Sequence, residues 1–315
     1  MHDPIAASLA RRATLVLDGA LATELERRGA DLADPLWSAR CLIERPALIR
    51  EVHADYFEAG ADVAISASYQ ASFEGFAARG IPAEGAARLM RDCVALAMAA
   101  REQFWSDPRH RTGRLRPLVA ASVGPHGAVL ADGSEYRGGY ALSDAELTRF
   151  HRARFAVLAG AGADLLAIET IPCLREALVL ARLLEEFPGT CAWISFSCGD
   201  DRHTGEGDDL GECAARLEAF PQVVAVGINC TAPRHIGALL RRMRLRTAKP
   251  LVAYPNSGEA YDAAAKHWLG AGTGAGSASS LAEQVRDWRA HGARLIGGCC
   301  RTTPADIRAV ALALA

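Results

Sequence analysis

Lysine is nearly absent from this chain of 315 residues: Lys249 and Lys266 are the two lysines among 35 basic residues. That scarcity makes Schiff-base or lysine-nucleophile chemistry a poor expectation. A charge excess of either sign is missing too, with 35 basic against 37 acidic residues and a net charge of −2. A nucleic-acid binder would usually show a basic excess or stripe, so none is expected here. No stretch approaches the ~20 charge-free apolar residues that a membrane-spanning helix needs. The first residues, MHDPIAASLARR, lack the basic start and apolar core of a secretory leader. The expected compartment is therefore the cytoplasm, where thiols stay reduced. In that setting the sequon-like Asn229-Cys230-Thr231 reads as a chance match. Disorder is excluded by a hydrophobic content of 50%, which is enough to form a core.

What the chain does have is cysteine. Nine are present, an odd number and more than packing requires, so some are candidates for metal ligands or nucleophiles. A chain of this length can bury a large core without disulfides. At roughly 100–200 residues per domain it is either two domains or one large α/β barrel.

Eight short apolar runs decide between these. They are 14–17, 62–65, 118–121, 165–168, 191–196, 223–226, 251–254 and 294–296, each ending in a polar or glycine-rich turn. Continuous runs of this kind read as strands buried on both faces of a parallel sheet. Helical patterns lie between them: 46–59, 84–101, 144–159, 174–187, 210–220, 234–244, 281–290 and 304–314. Pro46 and Gly60 bracket the first, and Ser143 with Glu146 opens the third as a capping box. Eight strands alternating with helices predict an α/β fold, the (β/α)8 TIM barrel, as one domain over residues 1–315. The rival doubly wound sheet would carry a glycine-rich phosphate loop after its first strand. Here that turn reads Asp18-Gly19-Ala20-Leu21, which is not such a loop. The Gly/Ala/Ser stretch 270–280 follows no predicted strand and reads as a flexible loop.

In a barrel the chemistry sits at the C-terminal ends of the strands. Those ends carry Asp18, Ser66, Glu169, Asn229, Cys230, Asn256, Cys299 and Cys300. Cys230 ends the sixth run, and the pair Cys299-Cys300 follows Gly297-Gly298 at the end of the eighth. Three thiolates around Zn²⁺ leave one tetrahedral position for a substrate, and soft sulfur favours zinc over magnesium or calcium. The two glycines are expected to give the backbone freedom to turn both cysteines toward one ion. Such a metal is poor at activating water and suited to holding a substrate thiol in its deprotonated, nucleophilic form. The natural reaction is alkyl transfer to sulfur from a cationic donor. A redox disulfide between two of the three cysteines is a competing reading. Cys41, Cys93, Cys173, Cys191, Cys198 and Cys213 read as ordinary thiols. His53, His151, His235, His267 and His291 lie in helical patterns and read as packing or surface residues.

The strand-end segments also resemble a known family. Leu17-Asp18-Gly19-Ala20-Leu21-Ala22-Thr23-Glu24-Leu25, Ala67-Ser68-Tyr69-Gln70-Ala71 and Ser122-Val123-Gly124-Pro125 carry the resemblance. So do the loop from Leu130 to Gly138, Gly227-Ile228-Asn229-Cys230, the segment Tyr254 to Glu259, and Gly297-Gly298-Cys299-Cys300-Arg301-Thr302-Thr303-Pro304. Over essentially its whole length the chain resembles homocysteine S-methyltransferases, of the branch that uses S-methylmethionine or S-adenosylmethionine rather than betaine.

The resemblance implies a (β/α)8 barrel, zinc held by Cys230, Cys299 and Cys300, homocysteine as acceptor and methionine as product. It implies that Glu169 and the Asp18-Gly19 turn hold the amino and carboxylate ends of homocysteine. Asn229 and Asn256 would contact the substrate or fix the ligand loops, and Ser66, Tyr69 and Gln70 would line the pocket. Asp132, Glu135, Tyr136 and Arg137 stand in a long loop, 126–142, and are candidates to receive the sulfonium of the donor. The loop 200–209, with His203, reads as solvated. Selenohomocysteine as acceptor, a barrel hydrolase, and a zinc- or redox-sensing protein are the alternatives. The hydrolase is disfavoured because no histidine stands at a strand end.

Overall fold

Each of the eight apolar runs becomes a strand, and their order around the sheet is set by the helical crossovers between them. The computed structural model describes residues 2–31, 37–258, 260–262, 267–269 and 278–315. The strands are β1 (Leu15–Val16), β2 (Val63–Ile65), β3 (Leu118–Val123), β4 (Leu165–Ile171), β5 (Ala192–Phe196), β6 (Val223–Asn229), β7 (Leu251–Tyr254) and β8 (Ala293–Ile296). All neighbouring pairs are parallel, β1 beside β8, then β7 in descending order to β2. A single parallel bridge between Leu17 and Val63 brings β1 against β2 and closes the ring. The architecture is the (β/α)8 barrel. Among the described residues, no helix is long and apolar enough to cross a membrane.

The two faces of every strand serve different cores, because side chains alternate along a strand. Leu15, Leu17, Val63, Ala120, Leu165, Ala167, Trp193, Ala225, Val252, Tyr254 and Leu295 form one buried cluster, the barrel interior. Val16, Val119, Ala121, Leu166, Ile168, Ile194, Val226, Ile228, Ala253 and Ile296 belong to the outer cluster, packed under the helices. A short helix that the sequence patterns did not signal, Pro4–Leu9, is capped by Asp3 and buries Ile5 in the interior cluster.

Local signals fix the helices. Pro46–Ala59 ends at Gly60, whose φ of 117° is a conformation that glycine adopts without strain. Ser143 and Glu146 close a capping box at the start of Asp144–Ala159, and Thr303 with Asp306 closes another before Pro304–Leu314. An antiparallel hairpin, Ala260–Asp262 with His267–Leu269, stands apart from the barrel sheet. It places His267 on a strand rather than a helix. Of the stretch 270–280, residues up to 277 lie outside the described residues and the last three open the helix Ala278–Ala290. Glu259 likewise lies outside the described residues.

Candidate metal centre and substrate pocket

The interior register explains which side chains reach the mouth of the barrel. Continuing the inward parity of β4 from Leu165 and Ala167 gives Glu169. The same count gives Ser122 on β3, Ser195 on β5, Asn229 on β6 and Tyr254 on β7. These five polar residues sit above an apolar interior and are all buried. They bond mainly to one another. Ser122 Oγ donates to Glu169 Oε1, and Tyr254 Oη donates to Glu169 Oε2 at 3.0 Å. Tyr254 Oη also accepts from Trp193 Nε1 at 3.1 Å and lies 2.7 Å from Ser195 Oγ. Burial pushes the Glu169 carboxyl up to about 7, against the opposing effect of these two hydroxyls.

By the same parity Cys230, following Asn229, would point away from the mouth. It does not, because its backbone is left-handed, with φ at 47°. Thr170 is left-handed as well, at 59°. Asn229 braces both turns. Its Oδ1 accepts from Thr170 N at 2.7 Å and Ser195 Oγ at 2.8 Å, and its Nδ2 donates to Thr170 Oγ1 at 2.7 Å. A non-glycine residue in this region is strained, so a buried amide that holds it in place has a clear physical task.

The result is a cluster of three sulfurs. Cys230 Sγ lies 2.6 Å from Cys299 Sγ and 3.3 Å from Cys300 Sγ, and all three sulfurs fall within 4.8 Å of one another. Among the described residues this is the one group of three or more side chains arranged to hold a metal ion. Of the three, Cys300 is the sulfur whose neighbours favour ionisation. Hydrogen bonds from Cys230, Cys299 and then Tyr136 hold it well below the usual thiol range. Cys299 is pushed up by its contacts with Cys230 and Cys300 and by burial. Cys230 also rises; its contact with Cys299 opposes this, and donation to Cys300 and burial prevail. With all three ionised, sulfurs this close would need a cation among them, and a soft dication fits the donor set.

Gly297 and Gly298 serve the cluster differently from the expectation. Neither has a positive φ. They supply space: a Cβ on Gly298 would lie 2.3 Å from Thr302 Oγ1, and one on Gly297 would lie 2.6 Å from Leu17 Cβ. Thr302 Oγ1 in turn donates to Cys299 O at 2.6 Å. Gly298→Ala is therefore expected to displace the turn that carries Cys299 and Cys300. We expect at least a tenfold loss of metal affinity, read by competition with a chelator, and a lower Tm.

A family model described as homocysteine S-methyltransferase matches residues 15–314. The chain belongs to this family. It is 53% identical over 309 residues to homocysteine S-methyltransferase YbgG of Bacillus subtilis, covering 98% of this chain and 97% of that one. A selenocysteine Se-methyltransferase of Brassica oleracea is 49% identical, over 94% of this chain and 87% of its own length. The metallated form of the homocysteine methyltransferase MmuM of Escherichia coli superposes with a TM-score of 0.88 at 49% identity, covering 98% of this chain and 99% of that one. The chain is thus a methyltransferase with homocysteine as acceptor.

The remaining positions expected to matter in a homocysteine S-methyltransferase fall into two groups. Asp18 is buried beside Glu169, and its Oδ2 accepts from Ile65 N at 2.8 Å, tying β1 to β2. Burial, and then the charge of Glu169, push its carboxyl well up. Gly19 sits so close to Thr302 Oγ1 and the Tyr56 ring that a Cβ would approach each to 2.9 Å. Tyr69 is half-buried near Glu135 and Cys230 and lies against Gly124. Ser66 is spent within the sheet, accepting from Ser122 N at 3.1 Å and bonding Ser68 Oγ at 2.8 Å. Gln70 reaches Ala128 O at 3.4 Å. Asn256 Oδ1 accepts from Gly258 N at 3.1 Å, and its own N–H donates to Thr231 O at 3.2 Å, so it shapes the turn beside Cys230.

The long loop after β3 splits in the same way. Asp132 and Arg137 are exposed and brace the turn: Asp132 Oδ1 accepts from Ser134 N at 2.9 Å, and Arg137 donates to Asp132 O at 3.0 Å. Glu135 and Tyr136 turn inward. Tyr136 Oη lies 3.8 Å from Cys230 Sγ. Buried Glu176 fastens both ends of the loop, accepting from His126 N at 2.7 Å and from Tyr140 Oη. The loop 200–209 is not merely solvated, since Gly139 N donates to Glu206 Oε1 at 2.8 Å and a Cβ on Gly205 would lie 2.3 Å from Tyr136 O.

The other six cysteines are free thiols, five of them buried. Burial pushes Cys93 up to about 12, the behaviour of an inert core thiol.

Sequence reasoning missed Ser122, Ser195, Tyr254 and Trp193 as parts of the site. The alternation of the strands, counted inward from Glu169 and Asn229, was the signal that would have found them.

Proposed function

We propose that the chain moves a methyl group from a sulfonium donor, S-methylmethionine or S-adenosylmethionine, to homocysteine at a zinc-loaded Cys230–Cys299–Cys300 cluster, forming methionine. The observation that carries this reading is the convergence of three sulfurs beside a buried carboxylate at one barrel mouth. Zinc, when bound there, would stabilise the substrate sulfur as a thiolate at neutral pH.

The protein side chains supply orientation. Glu169 takes the ammonium of homocysteine, its two oxygens aimed by Ser122 and Tyr254. Asp18 and the backbone of the Asp18-Gly19 turn border the other end of the substrate. Asn229 and Asn256 hold the turns that carry Cys230, and Tyr69 and Tyr136 wall the pocket over it. The homocysteine sulfur attacks the methyl carbon in line, the carbon–sulfur bond of the donor breaks, and its electron pair stays on the departing sulfur. The donor leaves as a neutral thioether. Holding the two sulfurs and the methyl carbon in line accounts for much of such an acceleration. We place the enzyme in the cytoplasm, where its nine free cysteines stay reduced, and read residues 1–315 as one catalytic barrel.

The test is methionine formation with S-methylmethionine, S-adenosylmethionine and betaine in parallel, with and without a chelator. Turnover of a sulfonium, lost on chelation and restored by zinc, is the expected result. Turnover of betaine alone, or full activity without metal, would overturn it. A selenol acceptor is the second reading, favoured by the 49% identity to a selenocysteine Se-methyltransferase. Its check is the ratio of kcat/KM for selenohomocysteine and homocysteine.

A further inference from the structure

The turn Ser134–Tyr136 is held more tightly than a loop this exposed requires. A Cβ on Gly127 would meet Glu135 N at 2.5 Å and Ser134 C at 2.6 Å, so the short helix His126–Leu130 packs directly against its backbone. From the other side Ser197 Oγ donates to Glu135 O at 2.9 Å, and Gly205 abuts Tyr136 O. The turn is therefore fixed by three separate segments of the chain. What it presents is unusual. Glu135 Oε2 is buried and has no hydrogen-bond partner, although unpaired buried polar atoms are costly and normally avoided. Its neighbour Tyr136 places a hydroxyl 3.8 Å from Cys230 Sγ. The charge of Cys230 acts on Glu135, and Glu135 acts on Tyr69. A carboxylate with one buried oxygen lacking a donor therefore borders the space where a substrate sulfur would be methylated.

We infer that Glu135 is the residue that reads the positive charge of the methyl donor. The inference rests on the sulfonium reading above and assigns its recognition to one side chain. A buried ammonium needs several hydrogen-bond acceptors, and Oε2 is the one carboxylate oxygen among the described residues that is buried without a partner. A sulfonium has no N–H or O–H to satisfy, so it needs charge complementarity alone. Tyr69 and Tyr136 add aromatic faces of the kind that attract an alkylated cation. The two exposed charges of the loop, Asp132 and Arg137, are occupied in shaping the turn and are not part of this recognition.

The assignment has a kinetic consequence. The donor sulfur loses its charge as the methyl leaves, so Glu135 holds the ground state at least as well as the transition state. Removing the charge should then raise KM for the donor while sparing kcat. It also separates donor from product, because S-methylmethionine is cationic at sulfur and methionine is not.

The experiment compares Glu135→Gln and Glu135→Asp with the unaltered zinc-loaded enzyme. E135Q keeps the shape of the side chain, and its zinc content and KM for homocysteine are expected to be unchanged. Its KM for S-methylmethionine should rise about tenfold or more, with kcat within about twofold. Calorimetric binding of S-methylmethionine should weaken by the same factor, while binding of methionine should not. E135D, which keeps the charge, should retain most of the donor affinity. An unchanged donor KM in E135Q, or an equal loss for methionine and S-methylmethionine, overturns the assignment while leaving the sulfonium reading intact. If the unaltered enzyme turns over neither sulfonium, that reading falls and the assignment falls with it.

Discussion

Cys230→Ala is expected to emerge from purification without zinc and without measurable methionine formation. The other two sulfurs are adjacent in the chain, and Cys230 is the ligand that must come from a different strand. Removing it leaves two thiols at one turn, a set that does not complete a stable site. Loss of a residue that merely supports a ligand costs about 10–100-fold in metal affinity or activity, and loss of a ligand should exceed that, on the order of 1,000-fold. Cys198→Ala is the control, because the Cys198 thiol lies outside the cluster while its backbone N–H bonds Thr231 Oγ1 at 2.9 Å. It should keep full zinc stoichiometry and activity. A Cys230→Ala protein that binds one zinc and turns over normally would sink the metal assignment.

Glu169→Gln is expected to reduce kcat/KM for homocysteine by about 100-fold, carried by KM. Truncating one partner of a buried charge pair costs roughly 2–5 kcal/mol, and this carboxylate is buried and bonded by Ser122 and Tyr254. KM for the donor should move far less. The same substitution has a signature in stability. Burial raises Glu169 from an ordinary 4.5 to about 7, so between those values the folded chain holds a proton that the unfolded chain has released. Stability from this group is present below about pH 4.5 and is lost as the pH rises through 7. Denaturation midpoints of the native enzyme should therefore decline across this window relative to Glu169→Gln, and the difference should level off above pH 8. A difference between the two proteins that is flat from pH 5 to 8 would show that Glu169 is already ionised in the folded state.

Much of the fold follows from short-range pattern. The eight apolar runs coincide with the eight strands, because a strand covered on both faces tolerates no polar residue in its middle. Pro46, Gly60 and the Ser143–Glu146 box mark helix ends through backbone chemistry that needs no distant partner. The short helix Pro4–Leu9 was not legible, since six residues carry too little periodicity and its anchor is the barrel interior. The hairpin holding His267 was hidden for a related reason: three-residue strands are shorter than any alternation that could announce them.

The site divides along the same line. Cys230, Cys299, Cys300, Glu169 and Asp18 could be read from the sequence alone because strand ends are visible as the places where apolar runs stop. Their chemistry, three soft sulfurs and two carboxylates, is a property of the residue types. The tertiary structure decided everything that depends on distance. It closed the 69-residue separation of Cys230 and Cys299 to sulfur contact, using a left-handed residue that no local pattern predicts and a buried asparagine that holds it. It turned Glu135 and Tyr136 inward and left Asp132 and Arg137 in solvent, though all four stand in one polar loop. Local sequence sets the backbone preferences of each segment. Which side chain of a loop faces a metal site is set by the segments packed against it, here Gly127, Ser197 and Gly205, which are distant in sequence and meet only when the barrel closes.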